Sequence, residues 1–264
     1  MSSDSDPVCE WLARTKLHLN LTNERLWMSD KKTPGDQIGN LLLDFQNAKE
    51  TFEEVDVGQC YFIVDDFASR VHTPVTNLPK SFRRYLRGPS DTRLVELDIA
   101  CSQPLFAAIA ASQDGFNSFK YTEACEQGTL YDLIQTTHRM RERHTAKGAV
   151  LHYLFRDPTD RVGRIDGFMR AEFPQFHEWV KQVKGADTMG GVQLAKRMQA
   201  AEVDLVINRL CKRIFTERPE TFVLTIHDAL LVEPQDASWV KEWFDAEFDS
   251  LGVRPTIRQR FAGD

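Results

Sequence analysis

The sequence predicts an α+β protein, in which short strands, two of them joined as a hairpin, stand among long helical segments. In residues 221–233, TFVLTIHDALLVE, two short runs rich in Val, Leu and Ile flank a His-Asp pair. Each run has the length of a buried strand and is too short for an ordinary helix. A third run of this kind, RLVELDIA, carries Asp98 far upstream. Around these strands lie long stretches of helical periodicity without the regular βαβ alternation of a doubly wound sheet.

At 264 residues the chain can hold one large domain or two small ones around a real core. Its apolar share of 42% and charged share of 27% are those of a globular protein. No apolar run approaches the roughly 18–20 residues that span a bilayer, so no membrane partner is expected. The N-terminal MSSDSDPVCEW lacks the basic and apolar regions of a signal peptide. Five scattered cysteines, Cys9, Cys60, Cys101, Cys125 and Cys211, contain no CxxC and give an odd number. That pattern argues against a disulfide framework or zinc site and suits a cytoplasmic location. The net charge of −6 counts weakly against nucleic acid, because the distribution of charge decides where phosphates can lie.

Taken in order, residues 1–59 read as a mostly helical region, with apolar helical spacing over 11–19 and 38–52. From 60 to 75 the pattern is strand-like, and Pro79 then opens a short basic helix carrying Lys80, Arg83, Arg84 and Arg87. Such a helix serves either as a solvated face or as a grip on backbone phosphates. In VELDI, Val95, Leu97 and Ile99 alternate with Glu96 and Asp98, so one strand face is apolar and the other carries carboxylates. A helix follows Gln103, with Pro104 in its first turn. Residues 121–128 are polar, and Thr129 starts a helix-compatible segment reaching Arg156. Within it Arg143 and Lys147 are four apart and share a face, suited to a triphosphate or simply to water. DPTDRVGRIDG reads as a loop, 168–183 as a helix interrupted at or near Pro174, and 185–191 as a glycine-rich linker. Residues 192–215 form a strongly periodic helix, 237–251 an acidic amphipathic one, and VRPTIRQRF a last strand. Cys101 reads as a small buried filler.

Together these segments resemble the polymerase core of family A DNA polymerases (the DNA polymerase I type), and more distantly the single-subunit phage-type RNA polymerases. The family's first palm motif, a strand ending in a metal-binding aspartate, is similar to LVELDIACSQ and implies Asp98. Its R-x-x-x-K fingers helix resembles RHTAKGAVLHYLF, giving Arg143 and Lys147. Its glutamine-bearing helix resembles MQAAEVD, matching Met198, Gln199 and Asp204, and its V-H-D-E hairpin resembles IHDALLVE, matching His227 and Asp228. The stretch SRVHTPVTNLP is similar to a segment that would set Arg70 and Asn77 near primer and template.

The resemblance implies an α+β palm with an antiparallel sheet (60–120 and 186–264), helical fingers (121–185) and a reduced thumb-like region in 1–59. It implies template-directed nucleotide polymerisation, with DNA synthesis leading, by two-metal transfer from a nucleoside triphosphate to a primer 3′-OH. Two Mg²⁺ ions, with Mn²⁺ as a substitute, would be held by Asp98, Asp228 and the Ile99 carbonyl. Arg143 and Lys147 would bind the triphosphate, Lys147 also assisting the leaving group, with Gln103, Tyr131 and Phe155 beside the nucleotide. Arg70, Asn77, Arg84, Gln199 and His227 would contact primer and template, and a small thumb suggests a processivity partner or oligomer.

The chain departs from the pattern at Gln103, where DNA-synthesising members carry a glutamate that excludes the ribose 2′-OH, and at Ala229, where the family often has Glu. Tyr131 stands about where the family has a phosphate-contacting histidine, and aromatic positions on the fingers helix match only at Phe155 or, off register, Tyr153. These departures leave open RNA synthesis or priming, template-independent addition, and a polymerase relative that binds nucleic acid without catalysis. A His-dependent metallohydrolase lacks support, because His138, His144, His152 and His177 form no His-x-x-x-His pair.

Overall fold

A four-stranded antiparallel sheet organises the computed structural model, which describes residues 18–19, 63–78, 80–156, 163–185 and 189–264. In chain order the described strands are β1 (His18–Leu19), β2 (Ile63–Val64), β3 (Val71–His72), β4 (Leu86–Arg87), β5 (Val95–Ile99), β6 (Val223–Ile226), β7 (Ala229–Val232) and β8 (Ile257–Phe261). The helices are α1 (Pro74–Asn77), α2 (Ser102–Gln113), α3 (Phe119–Glu126), α4 (Leu130–Thr137), α5 (Arg143–Phe155), α6 (Arg164–Glu172), α7 (Pro174–Lys184), α8 (Gly190–Val203), α9 (Lys212–Glu217) and α10 (Ala237–Asp249). A 3₁₀ segment covers Lys80–Tyr85, and a π-helical stretch, Asp204–Cys211, joins α8 to α9.

The sheet order is β6-β7-β5-β8, so the two strands around the His-Asp pair form a hairpin with β5 alongside. His227 and Asp228 are the two turn residues, and His227 takes φ +52, the left-handed conformation that a tight two-residue turn requires. Register places Asp98 opposite Ala229, the residue after Asp228. Two aspartates remote in sequence are thereby brought to the same end of the sheet.

Both sheet faces are covered. Val95, Leu97, Ile99, Val223, Leu230 and Val232 join the large core beneath the helices, where Phe244 and Phe248 of α10 are fully buried. On the other face Leu224, Ile226 and Leu231 pack with Val75, Leu78, Leu86 and Leu94. Burying each such aliphatic side chain is worth about 1.5–3 kcal/mol. Glu96 and Asp98 share this second face, and Glu96 is only 2% exposed.

The α+β class holds, and β5, the hairpin, α10 and β8 form where the sequence placed them. Several boundaries differ. Residues 121–128, read as a polar stretch, contribute most of α3, whose Tyr121 and Cys125 face the core. The single helix expected from Thr129 to Arg156 is two helices, because the chain turns at 138–142, with Arg139 at φ +50. In the GRIDG part of the expected loop, α6 begins at Arg164 and runs to Glu172; the chain then breaks at Phe173, and Pro174 starts α7. His18–Leu19 is a strand paired with β4, not a helix end; the rest of 11–19, and all of 38–52, lie outside the described residues.

Gly190 and Gly191, read as part of a linker, open α8 instead. A Cβ on Gly190 would stand 2.1 Å from the Lys184 carbonyl oxygen, and one on Gly191 would stand 2.3 Å from that of Phe155. These glycines let α8 approach the ends of α7 and α5. Asp114, just after α2, further ties the helices by accepting bonds from Trp179 Nε1 at 2.8 Å and from both Nη atoms of Arg197 at 2.7 and 2.9 Å. Among the described residues no helix is long and apolar enough to cross a membrane.

Candidate active site

A cleft of about 190 Å³ opens where β5, the His-Asp turn, α2, α5 and α8 meet. Asp98 and Asp228 both line it. Burial raises the carboxyl of Asp98, opposed first by the Arg260 guanidinium. Burial, then the carboxylates of Glu202 and Asp98, raises the carboxyl of Asp228 to about 7. Converging acids that repel one another in a partly dry cleft favour an incoming proton or cation.

The cleft also carries cations. Arg143, the first residue of α5, and Lys147, one turn further, both line it, as the four-residue spacing predicts. Arg143 donates from Nε to Asp132 at 2.7 Å and from Nη2 to the Gly128 carbonyl at 3.1 Å, and its guanidinium lies 5.0 Å from the Tyr131 ring centroid. Tyr131 is thus the buried platform beneath Arg143, and burial pushes its phenol well above the ordinary range. Lys147 is exposed at the mouth of the cleft.

Glu202, near the end of α8, is the site residue that sequence reasoning missed. It is 1% exposed, accepts from Arg70 Nη2 at 2.5 Å and from Ser102 Oγ at 3.1 Å, and is bonded by Gln103 Nε2. Its signal was a lone acid on the buried face of a helix, four residues after Met198, which is fully buried. Arg258 and Arg260 were also overlooked. Their two-residue spacing in IRQRF puts both on one face of β8, opposite Asp98 and Glu96.

Of the other residues singled out in the sequence, Arg70, Ile99, Gln103 and His227 line the cleft with Asp98 and Asp228. Burial, followed by Arg70, His72 and Arg83, depresses His227 to about 4, so its ring is neutral at neutral pH. Gln199 is half-buried on α8 outside the cleft lining, and Asn77 is exposed at the end of α1. Arg84 lies on the 3₁₀ segment and donates to the Gly263 carbonyl at 3.3 Å. Phe155 packs against the large core at the far end of α5, and Leu151 is the α5 apolar residue that reaches the cleft. Cys101 is buried, as expected, with φ +53 at the sharp turn from β5 into α2.

Among the described residues no three His, Cys, Asp or Glu side chains form a group able to hold a metal ion by themselves. Two hard carboxylates in an open cleft nonetheless fit magnesium at a phosphoryl-transfer site. There the ion takes one or two carboxylates and completes its shell with phosphate oxygens and water. A larger cavity, about 470 Å³, lies between α5, α6 and α7; its one carboxylate among the described residues, Asp166, is already paired with Arg156. Charge pattern, not size, marks the site.

The fold is similar to that of a polymerase domain. Among solved structures it matches the POL domain of Pol1 from M. smegmatis in complex with DNA primer-template and dNTP, with a TM-score of 0.55 and 11% identity. The match covers 92% of this chain and 56% of that one, so this chain spans little more than half of its structural neighbour. No family model and no curated protein matches the sequence.

Proposed function

We propose that the protein is a template-directed nucleotide polymerase, most simply a DNA polymerase, that joins a nucleoside triphosphate to a primer 3′-OH. The observation that carries this reading is the meeting of Asp98, Asp228, Arg143 and Lys147 in one cleft of a polymerase-domain fold. Phosphoryl transfer asks the protein chiefly for in-line positioning and charge neutralisation, and this cleft offers both signs of charge at short range.

In this reading Asp98 and Asp228, with the Ile99 carbonyl, hold Mg²⁺ or Mn²⁺, which when bound supplies Lewis-acid activation of the primer hydroxyl and neutralises the triphosphate. Asp228 must give up its proton first, so neutral to alkaline pH favours the competent state. Lys147, exposed at the mouth, binds the triphosphate and neutralises charge on the departing pyrophosphate. Arg143, clamped by Asp132 and Tyr131, is a fixed anchor for the same group. His227, held neutral, offers a ring edge or hydrogen bond to the primer terminus without adding charge beside Asp228. We assign primer and template contacts to Arg70, Asn77, Arg84 and Gln199, residues 60–120 and 186–264 to the palm, and 121–185 to the fingers.

Primer extension on a DNA template with Mg²⁺, supplying dNTPs and NTPs separately, tests this. Template-following extension that drops at least about a thousandfold in Asp98→Asn and Asp228→Asn is expected, the size of effect typical of removing transition-state charge stabilisation. Template-independent addition would reassign the protein as a terminal transferase. No extension on any substrate, with DNA binding intact, would sink the catalytic reading.

A further inference from the structure

Arg260 joins two carboxylates through one nitrogen: its Nη2 donates to Glu96 Oε1 at 2.5 Å and to Asp98 Oδ2 at a long 3.4 Å. The fork with Glu96 is only half made. Among the described residues, Arg260 Nε and Glu96 Oε2 are both buried without a hydrogen-bond partner, and Arg83 Nη1 stands 4.0 Å from Oε2, too far to bond it. A guanidinium that presents Nε and Nη2 to one carboxylate makes two parallel bonds, the strong bidentate arrangement. β8 lies beside β5 with Arg260 directly opposite Glu96, so the register already holds the two side chains together for that fork.

We infer that Arg260 is a resident counter-ion for Asp98, released to Glu96 when a divalent cation enters the cleft. This rests on the reading of Asp98 as a cation ligand. Without a cation the Arg260 guanidinium offsets the charge of Asp98. With one, the guanidinium gives up its long bond to Asp98 and gains a bond from Nε to Glu96 Oε2, so the number of hydrogen bonds is conserved and two buried polar atoms are satisfied. Glu96 is therefore a positioning residue: it keeps the displaced positive charge parked beside the site, where a half-buried guanidinium without a partner would be costly.

Mn²⁺ binding measured by electron paramagnetic resonance, on the full chain without nucleotide or DNA, tests this without relying on catalysis. Arg260→Met is expected to tighten Mn²⁺ binding roughly five- to tenfold, the range for coupled neighbouring charges. Glu96→Gln removes the parking carboxylate, leaves the guanidinium on Asp98 and weakens binding by a similar factor. Glu96→Gln should weaken binding clearly less in the Arg260→Met background than in the wild type, because there only the direct field of Glu96 on Asp98 is lost and no guanidinium is set free. A purely structural role for Glu96 would not give this epistasis, and thermal unfolding of each variant reports whether it folds. If Asp98→Asn abolishes Mn²⁺ binding but Arg260→Met leaves it unchanged or weaker, the counter-ion role is overturned and the metal reading stands. If Asp98→Asn leaves Mn²⁺ binding intact, the cation site itself falls, and this inference with it.

Discussion

His227 and Asp228 are neighbours in one turn, yet the same burial moves their protonation equilibria in opposite directions. His227 is depressed to about 4 from an unfolded value near 6.5, and Asp228 is raised to about 7 from near 3.8. Between pH 4 and 6.5 the unfolded histidine binds a proton that the folded one does not, so His227 costs stability as pH falls. Over 3.8 to 7 the folded aspartate holds a proton that the unfolded one has lost, so Asp228 costs stability as pH rises. In the wild type the two slopes oppose each other. Metal-free Asp228→Asn should therefore unfold several degrees lower at pH 5 than at pH 7.5, and His227→Asn should do the reverse. Equal pH dependence in both variants would show that the turn is not where these protons are held. Glu202 makes a different residue-scale case. Glu202→Gln leaves Arg70 without its buried anionic partner and should cost about 3 kcal/mol in denaturant unfolding. It should also lower the Asp228 carboxyl towards the ordinary range, readable by carboxyl NMR, because one repelling neighbour is gone. An unaltered stability would mean that Arg70 is held by something else.

At the scale of elements, α5 is the part that carries the two cations, and its position depends on glycines that look like linker in the sequence. Gly191 lets α8 touch the carbonyls of Phe155 and Arg156 at the C-terminal end of α5, while Arg143 and Lys147 occupy the other end. Gly191→Ala forces a Cβ to within 2.3 Å of backbone and should cost more than about 2 kcal/mol. Gly148→Ala, exposed on α5 with nothing within 4 Å of the added methyl, should gain roughly 0.5–1 kcal/mol from helix propensity. Guanidinium unfolding of the two variants separates the effects; similar changes in both would mean that α8 yields freely. The contrast also explains what the sequence could convey. The hairpin, β5 and the R-x-x-x-K spacing were legible because each is a local pattern of period two or four. The role of Gly190 and Gly191 was not, because a close approach between helices leaves no periodic trace. The break at 138–142 was missed because residues 129–156 carry helix-compatible residues throughout, and the turn rests on Arg139 entering a left-handed conformation that its type does not advertise. Glu202 was hidden for a third reason: its partners Arg70, Ser102 and Gln103 come from two distant parts of the chain.

For the whole molecule the net charge of −6 is a poor guide to its partner, because the acids and bases are not spread alike. Many carboxylates are matched locally, as in Lys120–Glu172, Arg213–Glu217 and Lys241–Asp245, and cancel at short range. Arg70, Arg143, Lys147 and Arg258 instead gather around one cleft, beside the basic 3₁₀ segment carrying Arg83 and Arg84 on the same side of the sheet as Glu96. A polyanion is drawn to that local field and displaces its own counter-ions there, whatever the distant surface carries. Binding of primer-template DNA should accordingly weaken with salt at a log–log slope of about −3 to −5, as for a few phosphate contacts. Arg84→Ala should flatten that slope by about one and leave triphosphate affinity alone, whereas Lys147→Ala should lower triphosphate affinity roughly tenfold with the DNA slope unchanged. Fluorescence anisotropy with labelled DNA and with a labelled nucleotide separates the two. A salt-independent DNA affinity would place the nucleic acid elsewhere on the molecule, and loss of both affinities in either variant would mean that one continuous patch, not two adjoining sites, serves strand and triphosphate.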